Sequence, residues 1–108
     1  MTNHLSHDTT VAELLRLKKA LQFIRQVVRD YGSNTFNHLG FSHALAASKA
    51  EELRDQIEPF CPAHKAFQEL VKAMHMLPTD PQSASSAERC LDEIAAYFAL
   101  DTIVLIRR

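Results

Sequence analysis

Thr10-Val11-Ala12-Glu13-Leu14-Leu15-Arg16-Leu17-Lys18-Lys19-Ala20-Leu21-Gln22-Phe23-Ile24-Arg25-Gln26-Val27-Val28-Arg29-Asp30-Tyr31-Gly32 is the stretch that decides the fold. Leu14, Leu17, Leu21, Ile24, Val28 and Tyr31 recur at alternating steps of three and four. That spacing lays one apolar stripe along a helix of 3.6 residues per turn. Val11, Ala20 and Val27 widen the stripe beyond a coiled-coil seam. Thr10 followed by Glu13 has the spacing of a capping box, in which each residue satisfies the other's backbone N–H, and Gly32 supplies the stop.

Working outward, three further stretches keep the same period. Ala46, Ala50, Leu53 and Ile57 predict a helix over residues 42–58, with Ser42 as its N-cap and Pro59 ending it. A short extra helical turn precedes it, because Phe36 and Leu39 continue the stripe backward across Gly40. Ala44, Ala46, Ala47 and Ala50 make the apolar face of this helix small, which permits close approach of a neighbour. Pro62 suits a first helical position, and Ala63, Phe67, Leu70, Val71, Met74 and Leu77 follow it up to Pro78. Residues 79–86 read as a solvated loop with Asp80-Pro81 and three serines. Ser85 and Glu88 have capping-box spacing, ahead of Ala87, Leu91, Ile94 and Phe98.

The end of the chain breaks the period. Thr102-Ile103-Val104-Leu105-Ile106 is aliphatic and β-branched, and suits a strand or a continuation of the last helix. A lone strand would leave its backbone and apolar face unpaired, so the segment needs cover. Ile103, Val104, Leu105 and Ile106 are therefore the candidate dimerisation residues, pairing with a second copy across a two-fold axis.

The expected fold class is all-α: a small four-helix bundle with a short extra helical turn and an aliphatic C-terminal segment. One domain is expected over residues 1–108, with 1–9 flexible. Composition agrees. Of 108 residues, 46% are hydrophobic and 23% charged, enough for a packed core and too apolar for wholesale disorder. Two Gly and four Pro supply too few turns for an all-β sandwich. No apolar run approaches the length of a membrane span, and Met1-Thr2-Asn3-His4 lacks the character of a signal peptide. The expected location is cytoplasmic, with no membrane partner.

Charge is unevenly placed around a net of −1. From Thr10 to Tyr31 five bases (Arg16, Lys18, Lys19, Arg25, Arg29) face two acids, a net of +3. From Ser42 to Phe60 two bases face four acids, a net of −2. Lys18, Gln22, Arg25 and Arg29 share one helical face. That basic stripe either pairs loosely with the acidic second helix or steers an acidic partner. The carboxylate pairs Glu51/Asp55 and Glu88/Asp92 are each four residues apart and read as solvated surface.

Leu39-Gly40-Phe41-Ser42 resembles the turn of a helix-turn-helix DNA reader, which implies a reading helix over 42–53. The surroundings depart from that pattern. Phe36 stands where the motif takes a small residue, and Lys49 where it takes a buried apolar one. Glu51 and Glu52 would also repel phosphate. A second alternative is a metal-binding sensor. His38 and His43 with the C-x-x-H of Cys61 and His64 have the N/S chemistry of a zinc tetrad, from what read as two adjacent helix starts. Pro62 inside that C-x-x-H departs from usual zinc spacings.

Catalytic machinery is not visible. Neither Cys61 nor Cys90 has a recognisable base, no glycine-rich phosphate loop occurs, and the Glu-x-x-His pairs of a di-metal bundle are missing. The sequence therefore points to a non-catalytic interaction or regulatory module, an adaptor or an inhibitor, homodimeric and without a cofactor. Its candidate partner-binding residues are Lys18, Arg25, Arg29, Phe36, Phe41, Phe60 and Tyr97.

Overall fold

A computed structural model describes residues 10–32, 40–80 and 82–100, apart from the Phe41 side chain. It contains four helices and, among the described residues, no strand: α1 (Val11–Gly32), α2 (Gly40–Gln56), α3 (Ala63–Met76) and α4 (Ser83–Tyr97). Each helix packs against the next, and α1 closes the ring by packing against α4. The partners across the last seam run in opposite senses, Lys18 meeting Leu100, Arg25 meeting Asp92 and Arg29 meeting Glu88. The architecture is thus an antiparallel four-helix bundle of up-and-down type.

The expected stripe of α1 is its buried face. Leu17, Leu21, Ile24, Val27, Val28 and Tyr31 enter the core, with Leu14 and Ala20 packed at its edge. Val11 does not widen the stripe. It is 66% exposed. The capping box forms as expected. Thr10 N–H donates to Glu13 Oε1 at 2.9 Å, and Glu13 N–H donates to Thr10 Oγ1 at 3.2 Å. The Thr10 N–H and the Thr10 hydroxyl, both donating to Glu13 Oε1 at 2.9 Å, hold the Glu13 pKa below its ordinary value.

Helix α2 begins at Gly40, two residues before the expected start, so Ser42 lies within the first turn and is not an N-cap. Ala46, Ala47, Ala50 and Leu53 are buried, whereas Ala44 is exposed. Two polar links tie α2 to α3: the His43 ring to the Met74 carbonyl at 2.6 Å, and His75 Nε2 to Glu51 Oε2 at 2.6 Å. A carbonyl can accept but not donate, so His43 Nε2 carries the proton.

In α3, Phe67, Leu70 and Met74 are fully buried, as is Leu77 just past its end. Pro62 occupies the N-cap rather than the first helical position, a shift of one residue. The larger departure is at α4. It begins at Ser83, so residues 83–86 are helical rather than loop, and the Ser85–Glu88 capping box does not form. Asp80 organises the start instead, accepting from the Gln82 N–H at 3.2 Å and, more weakly, from the Ser83 hydroxyl at 3.5 Å. Glu88 is drawn across to Arg25, and an ionised partner on another helix outweighs a local cap. At the other end, Ala99 takes a left-handed φ of 53° and directs Leu100 back into the core, where it is 2% exposed.

The extra turn expected before α2 and the aliphatic segment 102–106 lie outside the described residues, as do residues 1–9.

Candidate interaction site

The sequence residues meet different fates. Lys18 donates to the Leu100 carbonyl at 3.1 Å. Arg25 bridges two carboxylates of α4, Nη1 to Glu88 at 2.6 Å and Nη2 to Asp92 at 2.8 Å, and Arg29 reaches Glu88 at 3.5 Å. The basic stripe therefore pairs with α4, not with acidic α2 as its net charge implied, and the carboxylates Glu88 and Asp92 are clamped rather than merely solvated. Phe36 and the segment Ile103–Ile106 lie outside the described residues; Phe41 falls in the first turn of α2.

Phe60 is 81% exposed, more than any other large apolar side chain described. Its position follows from the connection Ile57–Pro62. Pro59 and Pro62 fix φ on either side of it. Cys61 N–H donates to the Glu58 carbonyl at 2.9 Å, and His64 N–H to the Cys61 carbonyl at 2.9 Å. Ile57 and Cys61 turn into the core at 2% and 7% exposure, so the chain on both sides of Phe60 is anchored. The Cys61 thiol lies beside the Tyr97 hydroxyl and pushes the tyrosine pKa up. The Tyr97 ring packs edge-on against Phe98, with centroids 4.9 Å apart. Tyr97 thus lies near the base of the turn, beside Cys61, while Phe60 projects from it at 81% exposure.

Beside this end of α2 lies a cleft of about 160 Å³ between α1 and α2. Its walls are Glu13, Arg16, Leu17 and Ala20 from α1, and Lys49, Glu52, Leu53 and Gln56 from α2. Both sets fall at spacings i, i+3, i+4 and i+7, the signature of one helical face. Leu17, Ala20 and Leu53 are the apolar walls, and the rim carries two acids and two bases. Lys49 and Glu52 pair with each other at 2.8 Å. The spacing was present in the sequence, but which two faces meet is settled by the packing.

The metal tetrad does not assemble. His43 is bonded to Met74, at the end of α3, while Cys61 and His64 stand at its start. A helix of 14 residues separates those ends by roughly 20 Å. The helix starts that looked adjacent in sequence lie at opposite ends of antiparallel neighbours. His38 is outside the described residues, and among the described ones no group of three or more His, Cys, Asp or Glu is gathered to hold a metal ion. The outward side of α2 offers Lys49 against Glu52 and Asp55, a poor match for a phosphate backbone. Burial raises the Cys90 thiol pKa, which disfavours the thiolate. Among the described residues no helix is long and apolar enough to cross a membrane.

Compared with family models, curated proteins and solved structures, the chain matches none of them.

Proposed function

We propose that the protein is a non-catalytic helical interaction module, an adaptor or inhibitor acting in the cytoplasm on another protein and as a homodimer. The observation that carries this reading is Phe60, a large aromatic ring held out in solvent at 81% exposure by a proline-bracketed, hydrogen-bonded turn. An apolar ring in water gains by being covered, and a rigid presentation lowers the ordering cost of covering it. Buried aromatic anchors of this kind dominate the energetics of protein interfaces. The bases of α1 support the reading less strongly. Arg25 is already engaged by Glu88 and Asp92, which leaves Arg29, 60% exposed, as the base best placed to steer an acidic partner.

A photo-crosslinking phenylalanine analogue at position 60, introduced in native cells, tests the proposal. A discrete covalent adduct with a protein, either another copy or a different chain, is the expected result. Recovery of nothing but unlinked monomer at full labelling would overturn it.

A further inference from the structure

We draw no further inference here: the strongest candidate, the exposed Phe60 on the connection between α2 and α3, belongs to the site already described, and nothing in the structure shows what covers it.

Discussion

The two seams that α1 makes are built on different principles. Toward α4, charge crosses the seam: the Arg25 fork holds Glu88 and Asp92, and Lys18 holds the Leu100 carbonyl. Toward α2, the apolar residues that meet at the seam are Leu17 and Ala20 of α1 and Leu53 of α2, and the α2 face itself is small, with Ala46 and Ala50 fully buried. There the charged groups of the rim bond within their own helix or its cap, Lys49 to Glu52 and Glu13 to Thr10. Ions that bridge two helices fix their register and draw them together. Ions paired along one helix leave the neighbouring seam to side-chain packing, and a cleft of about 160 Å³ lies along it.

Two substitutions should separate the seams most sharply. Leu91→Ala empties a fully buried position beside α1 and is expected to cost about 2–5 kcal/mol in denaturant unfolding. Ala50→Leu adds volume to the small-residue face of α2, which is fully buried at that point, and is expected to cost about 1–3 kcal/mol by overpacking. If Ala50→Leu proved neutral, the α2 face would hold unfilled space and the contrast between the seams would fail at its packing end.

The electrostatic end comes next. Arg25→Met keeps the aliphatic stem but leaves Glu88 and Asp92, four residues apart, without their shared cation. A loss of about 1 kcal/mol is expected, reduced from a buried pair because Asp92 is 71% exposed and solvent screens it. Lys49→Met removes a pair that lies within one helix, and about 0.3 kcal/mol is expected. The Arg25 effect should shrink in molar salt. Equal effects at the two sites would mean that crossing the seam confers nothing.

Four helices were legible because each carries its own period, and α1 and α3 were legible nearly to the residue. Helix boundaries failed where a local signal competed with a tertiary one. Ser85–Glu88 had the spacing of a cap, yet Glu88 found Arg25, 63 residues away in sequence. The basic stripe was visible, but its partner was misplaced, because net charge per segment says nothing about which helices become neighbours. The tetrad of His38, His43, Cys61 and His64 failed for a related reason: two starts that follow one another along the chain end up at opposite ends of an antiparallel pair. Phe60 was named as an anchor on its chemistry alone. Its exposure depends on Ile57 and Cys61 turning inward on either side, which no local pattern announces.

Ala99 is a smaller test on the α4 side. A non-glycine residue at φ 53° places its Cβ against the following carbonyl, and this residue sends Leu100 to its bond with Lys18. Ala99→Gly is expected to stabilise the fold by about 0.5–1 kcal/mol, with Leu100 still buried. A loss of stability would mean that the turn is held by something other than its backbone conformation.

The smallest effect is expected at the cleft, from Glu13. Its bonds to the Thr10 N–H and hydroxyl favour the ionised carboxylate, so its pKa is lower in the folded chain than in the unfolded one. The contribution is therefore fully present above the unfolded pKa and is lost as pH falls through the folded value, both in the acid range. Thr10→Ala removes the side-chain half of the box and weakens that preference. The stability difference between wild type and Thr10→Ala should narrow as pH is lowered from neutral through the carboxylate range, measured by urea unfolding at fixed salt. Because the group is fully exposed, added salt should narrow it further. A gap that stayed constant with pH would show that the cap acts through the Thr10 hydroxyl alone. The charge on that side of α1 would then have no part in holding its first turn over the cleft.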